Sequence, residues 1–151
     1  MRLEDEIKQK SFRNEYHKLA VNILYTHGWL LEFNNKVLQK FNLTAQQYNV
    51  LRILRGQHPN TASVNLLRER MLDKMSDVSR LVERLRVKGL LERTICENDR
   101  RKADVKISNK GLELLSDIDK LDLEFDKLFS NLSPKEAIQL NLYLIKNQQE
   151  L

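Results

Sequence analysis

The stretch that decides the fold begins Ser76-Asp77-Val78-Ser79-Arg80-Leu81-Val82-Glu83-Arg84-Leu85-Arg86-Val87-Lys88-Gly89. It continues Leu90-Leu91-Glu92-Arg93-Thr94-Ile95-Cys96, then Glu97-Asn98-Asp99-Arg100-Arg101-Lys102, then Ala103-Asp104-Val105-Lys106-Ile107-Ser108. Val78, Leu81, Val82 and Leu85 step by three and four, which predicts a helix with those residues on a core. Asp77, Ser79, Arg80, Glu83, Arg84 and Arg86 then face outward. Ser76 reads as the cap, and Gly89 suits the left-handed position that ends a helix. Leu90–Cys96 and Ala103–Ser108 read as antiparallel strands, with Val105 and Ile107 inward against Asp104 and Lys106. Glu97–Lys102 is a polar, basic tip between them. A helix suited to a major groove thus adjoins an arginine-bearing loop suited to a DNA backbone or minor groove.

Upstream, Thr44 with Gln47 three residues on is a capping box, opening a helix with Tyr48, Leu51 and Leu54 inward and ending at Gly56. A short strand over Thr61–Val64 and a helix over Val64–Leu72, with Val64, Leu67 and Met71 on one face, come next. Leu72–Met75 reads as a four-residue turn, making a helix-turn-helix with the stretch quoted first. From Leu3 to about Phe41 the pattern is helical. Gly28 costs a helix interior about 1 kcal/mol relative to Ala, which predicts a kink or break there.

Downstream, Leu114, Ile118, Leu121, Phe125, Leu128 and Leu132 keep a 3.5-residue repeat, which predicts one long helix with a coiled-coil seam. Ser133-Pro134-Lys135-Glu136 then has a cap, a proline at the first helical position and a capping-box glutamate. Ile138, Leu142 and Ile145 continue an inward stripe.

The chain has 151 residues, 41% hydrophobic and 31% charged, which describes a soluble globular protein of one domain. With 4 Gly and 2 Pro it favours helix over an all-β fold. Its single cysteine, Cys96, makes no internal disulfide and fits a reducing cytoplasm. No apolar run reaches membrane-span length, and the acidic start is no signal peptide. The net charge is +5 and is unevenly placed. Between Arg68 and Lys110 stand 13 Lys and Arg against 8 Asp and Glu, a net of +5, while the N-terminal flank carries +4 and the C-terminal flank −4. A localised basic region fits a polyanion partner, and by itself it fits a solvated surface as well.

Taken together, Arg80-Leu81, Leu85, Lys88-Gly89-Leu90, Glu92-Arg93, Asp99-Arg100-Arg101, Val105, Ile107-Ser108 and Gly111 resemble the MarR family of winged helix-turn-helix transcription regulators. The shared pattern is a helix ending in glycine, an arginine early in the next strand, an Asp-x-Arg wing and a Ser-x-x-Gly start to the next helix. It is specific over about residues 66–115, and element order extends it to the whole chain. The resemblance implies a mainly α fold with a small antiparallel β-hairpin wing. About 42–110 would form a winged helix DNA-binding region, and about 1–41 and 111–151 dimerisation helices. It implies a homodimer on a pseudo-palindromic double-stranded DNA operator, usually acting as a repressor. In many members a small, often aromatic, ligand binding between the two parts releases the DNA.

Within this frame Ser76, Ser79, Arg80 and Arg84 are the candidates for the major-groove face, with Arg86 beside them. Arginine bonds guanine O6 and N7 together, and serine contacts a base or a phosphate. Asp77 either stabilises the helix N-terminus or accepts from a cytosine amine. The resemblance places Arg101 in a minor groove, where narrow A·T tracts attract arginine. Asp99 reads as its orienting partner, and Arg100 and Lys102 as phosphate contacts. Tyr25, Trp29, Phe33 and Tyr48 are candidates to line a ligand cavity, although aromatics at helical spacing are more often core. His17, His27, His58 and Cys96 show no metal-ligand spacing, so no metal or cofactor is expected. No catalytic constellation appears, which argues against an enzyme. The competing reading is a winged helix that serves as a protein-interaction module.

Overall fold

The computed structural model describes residues 2–95, 103–146 and 148. The chain forms two compact units, residues 1–112 and 113–151. In the first, α1 (Leu3–Glu6) and α2 (Glu15–Gln39) precede α3 (Ala45–Gln57), β1 (Ala62–Ser63), α4 (Val64–Arg70), α5 (Val78–Val87), β2 (Leu91–Ile95) and β3 (Ala103–Ile107). Then α6 (Asn109–Asp119) crosses into the second unit, which holds α7 (Asp122–Lys127) and α8 (Pro134–Lys146).

The single helical pattern expected from Leu3 to Phe41 divides, but early rather than at Gly28. Lys8 takes a left-handed φ of 54° after α1, and Asn14 caps α2 by accepting from the His17 amide. From there α2 runs through Gly28 without a break. One glycine is tolerated because the rest of a 25-residue helix carries it.

The predicted capping box at Thr44 is present. The Thr44 hydroxyl oxygen accepts from the Gln47 amide at 3.2 Å, and the Gln47 side chain accepts from the Thr44 amide at 3.1 Å. The helix so started buries Val50, Leu51 and Leu54 completely. Around them α3 packs on α2, α4, α5 and β3. Leu67, Met71, Val78, Val82 and Leu85 from the helix pair, and Leu90, Leu91, Val105 and Ile107 from the hairpin, complete the core. The inward alternation read for Val105 and Ile107 therefore holds. The sheet is antiparallel in the order β1-β3-β2, with Ala62 opposite Val105 and Leu91 opposite Ile107.

Two local expectations are corrected. The connection between α4 and α5 is Met71–Asp77 rather than a four-residue turn, because Met71 leaves the helix to bury its side chain. The cap of α5 is Asp77, whose carboxylate accepts from the Arg80 amide at 3.1 Å. Ser76 instead donates its hydroxyl to Asp73 at 3.0 Å.

In the second unit the long helix expected over Leu114–Leu132 is interrupted. At its break the Leu121 amide bonds to Ile118, a tighter turn than α, and α7 restarts at Asp122. Asp122 and Glu124 in the first turn favour a fresh N-terminus through the helix dipole. Of the expected seam Ile118 is fully buried, together with Leu115 from outside it, while Leu132 is exposed. The cap of α8 forms as read, with the Ser133 amide donating to Glu136 at 2.8 Å. Ile138, Leu142 and Ile145, expected inward, are more than half exposed in the single chain. Among the described residues no helix is long and apolar enough to cross a membrane.

Candidate nucleic-acid interface

The α5 helix divides by face. Val78, Val82 and Leu85 are buried, and Ser79, Arg80, Glu83, Arg84 and Arg86 are exposed. The sequence thus places the apolar anchor and the candidate contacts on opposite sides of ten residues. Lys88 and Gly89 end the helix as read, Gly89 with a φ of 73°. The exposed ends of the backbone are met by cations and hydroxyls. The Lys110 ammonium donates to the Lys88 carbonyl at 2.9 Å, and the Ser108 hydroxyl donates to the Gly89 carbonyl at 2.7 Å. Lys88 in turn donates to the Asn42 carbonyl and, at 3.3 Å, to the buried Gln47 side chain. These bonds seat the C-terminal end of α5 on the start of α3 and the start of α6.

The candidate contacts are not equally available. Arg80 lies 3.8 Å from the Asp77 carboxylate, a loose ion pair one turn apart that leaves the guanidinium largely in solvent. Arg86 is held in a two-pronged pair by Glu83, at 2.9 and 2.8 Å. That pair keeps the Glu83 carboxyl below the usual range and raises Arg86. Arg86 is therefore the most neutralised of the outward arginines on α5. Ser76 is half-buried and engaged with Asp73. Asp99, Arg100, Arg101 and Lys102, with Cys96, lie outside the described residues.

Three side chains take parts that the sequence reading did not give them. Arg68 on α4 donates to the Ser79 hydroxyl at 3.2 Å and to Asn65 at 3.1 Å, bridging α4 to α5 on the exposed side. Asp73 gathers the α4–α5 connection. It accepts from the Met75 amide at 3.0 Å, from the Ser76 hydroxyl, and from Gln46 of α3 at 3.5 Å. The Met75 amide, then the Ser76 hydroxyl, hold its carboxyl below the usual range. Lys88 is the third. The Asp73-x-x-Ser76 spacing is a local signal for such a turn, whereas the Arg68–Ser79 contact needs the packed helix pair.

Of the aromatic candidates, Tyr25 donates to Glu6 at 3.1 Å, Trp29 is exposed, and Phe33 and Tyr48 are half-buried. A cavity of about 550 Å³ lies elsewhere, where the end of α2 and the start of α3 face α5. Gln39, Leu43, Gln47, Arg84, Val87 and Lys88 are among its walls. No group of three or more His, Cys, Asp or Glu among the described residues is placed to hold a metal ion.

Residues 41–102, which contain α3 to β2 and the tip, match the model of the MarR family. The regulator PecS of Dickeya dadantii is 24% identical over 160 residues, covering 100% of this chain and 95% of that protein. A mutant MarR from E. coli complexed with operator DNA has a similar structure, with a TM-score of 0.77 and 25% identity. That match covers 93% of this chain and 99% of the other. The organohalide-sensing regulator RdhR in its 2,4-dichlorophenol bound form has the same fold at a TM-score of 0.80 and 19% identity, covering 89% of this chain and 80% of that one.

Proposed function

Because the chain belongs to the MarR family of winged helix-turn-helix regulators, and so is a DNA-binding transcription regulator rather than an enzyme, we propose that it acts as a cytoplasmic homodimeric repressor. Two copies of α5 enter successive major grooves of a pseudo-palindromic operator, roughly 34 Å apart. Ser79, Arg80 and Arg84 meet base edges and phosphates, while Arg86 serves mainly through its pair with Glu83. Asp77 acts as the cap of the reading helix. Arg101 enters the minor groove, oriented by Asp99, with Arg100 and Lys102 on phosphates.

The observation that carries this reading is the two-faced α5, rigidly seated by Val78, Val82 and Leu85 with its polar side in solvent. Dimerisation is supported by apolar side chains exposed in the single chain on α2 (Tyr16, Leu19, Leu24) and on α8 (Ile138, Leu142, Ile145). Release by a small aromatic ligand near Tyr25, Trp29, Phe33 and Tyr48 completes the proposal. Here the support is the family and the dichlorophenol-bound relative.

Selection of bound sequences from a random DNA pool, followed by salt titration of the winning site, tests it. A palindromic consensus should emerge, and affinity should fall by about 0.9 log unit per phosphate neutralised for each log unit of salt. No enriched sequence, or a complex indifferent to salt, would favour the protein-interaction module instead.

A further inference from the structure

Met75 is 93% exposed, the most exposed of the large apolar side chains described. Its position makes this unusual. The other apolar residues between α4 and the end of the first turn of α5 divide sharply: Met71 and Val78 are buried to within 2% of complete, and Leu72 is 87% exposed. The buried pair anchors the connection. The main chain between them is also fixed. The Met75 amide donates to Asp73, the Ser76 amide donates to the Asp73 carbonyl at 3.3 Å, and Lys74 reaches back to the Glu69 carbonyl at 2.6 Å. A bulky thioether thus stands in solvent on a backbone with little freedom to withdraw it.

We infer that Met75 is a specificity residue of the DNA-reading surface, packing on the 5-methyl group of a thymine in the major groove. This rests on the DNA-binding reading given above. Met75 lies two residues before the cap of α5, at the end of the helix that meets base edges in this motif. The exposed charged residues flanking it in sequence are four cations, Arg68, Arg70, Lys74 and Arg80, and three carboxylates, Glu69, Asp73 and Asp77. A bare apolar side chain at that end of α5 suits an apolar group displayed in a major groove. Thymine C5-methyl is the apolar feature on the major-groove edge of the bases, and a flexible, polarisable methionine adapts to it. The sequence reading of the major-groove face rests on hydrogen-bonding side chains, Ser76, Ser79, Arg80, Arg84 and Asp77, and includes no apolar contact to a thymine methyl.

The experiment starts from the operator selected by the wild-type protein. Each thymine of one half-site is replaced in turn by deoxyuridine, which removes only the methyl group. Wild type should lose about fourfold in affinity at one position, the value of burying one methyl-sized group. Met75→Ala should bind the thymine operator about fourfold more weakly and no longer distinguish the two bases there. Met75→Leu should keep the distinction. Thermal unfolding of Met75→Ala should match wild type, since the side chain is in solvent. Two outcomes overturn the inference: methyl discrimination that survives Met75→Ala, or a wild type indifferent to every methyl. So does a Met75→Ala variant with unchanged DNA binding and a smaller assembly in sedimentation, which would give the side chain to a protein contact. A wild type that enriches no sequence defeats the repressor reading itself, a result distinct from all of these.

Discussion

Gly111 backs onto the carbonyl of Leu90 so closely that a Cβ on it would lie 2.3 Å from that oxygen. The same atom would come within 2.7 Å of the Ile107 side chain. Ile107 can shift a little, but the Leu90 carbonyl is backbone and accepts from the Ser108 amide. Gly111→Ala should therefore cost at least about 1–3 kcal/mol, the range for overpacking. Gly28→Ala provides the contrast. Nothing lies within 4 Å of a Cβ there, and the residue sits inside α2. That change should stabilise by about 0.4–1 kcal/mol. Denaturant unfolding of both variants checks the pair, and equal effects of one sign would contradict the geometry.

Asp73 makes the α4–α5 connection sensitive to acid. Its carboxyl is held below the usual range by the Met75 amide and then the Ser76 hydroxyl. A group depressed on folding stabilises the protein above its unfolded value, and the contribution disappears as pH falls through the lower folded value. The loss should therefore appear only below the ordinary carboxylate range, with neutral pH unaffected. Asp73→Asn should flatten that part of the stability-against-pH curve. At neutral pH it should also weaken operator binding, because the turn that presents Ser76 and α5 loosens.

Arg80→Ala should relax base preference at one operator position, at a cost of about 1–3 kcal/mol there. Arg101→Ala should weaken binding more evenly across sequences while leaving the unfolding curve unchanged. Arg86→Ala should do less than Arg80→Ala, because Glu83 already holds its guanidinium. Competition binding against a panel of single-base operator variants separates the three. An Arg86→Ala effect larger than that of Arg80→Ala would reverse the ranking.

A charge placed on either exposed apolar face should separate the copies. Leu24 on α2 is 71% exposed and Leu142 on α8 is 60% exposed. Leu24→Glu and Leu142→Glu should each yield a folded monomer by sedimentation with little operator affinity, since one half-site alone loses the linked second contact. A dimer that persists in both variants would move the interface elsewhere.

Much of the DNA-reading unit was legible because its signals are local. Thr44 and Gln47 cap each other within three residues, Gly89 marks a positive φ, and Val105 and Ile107 alternate. These need no knowledge of distant chain. The cap of α5 was misassigned because Ser76 and Asp77 both fit the signature. The choice falls to Asp73, which takes the Ser76 hydroxyl for its own turn. The seam from Leu114 to Leu132 misled because periodicity reports which residues are apolar, not whether the helix between them is continuous. At Lys120 and Leu121 the chain tightens without disturbing the period. Ile138 and Leu142 were read as inward because sequence does not say whose interior a stripe belongs to. The contribution of Arg68 was invisible for another reason, since its Ser79 partner is brought near only by the packing of α4 on α5.

The two residues of β1 bear on how this protein comes to be folded at all. Ala62 and Ser63 pair with Val105 and Asp104, and Thr61 adds a hydrogen bond to Asp104 at 3.4 Å. Every one of these links joins points more than forty positions apart along the chain. Lys88 reaches back as far, to Asn42. The contacts that complete the reading unit are thus closed late, after most of its length has been made, and they carry the loop-closure cost of long-range pairing. A fragment beginning at α4 would keep every candidate DNA contact and still lack the strand and the carbonyl that secure them. The shortest independently folding reader should begin before Asn42 and extend past Gly111, well beyond the candidate DNA contacts.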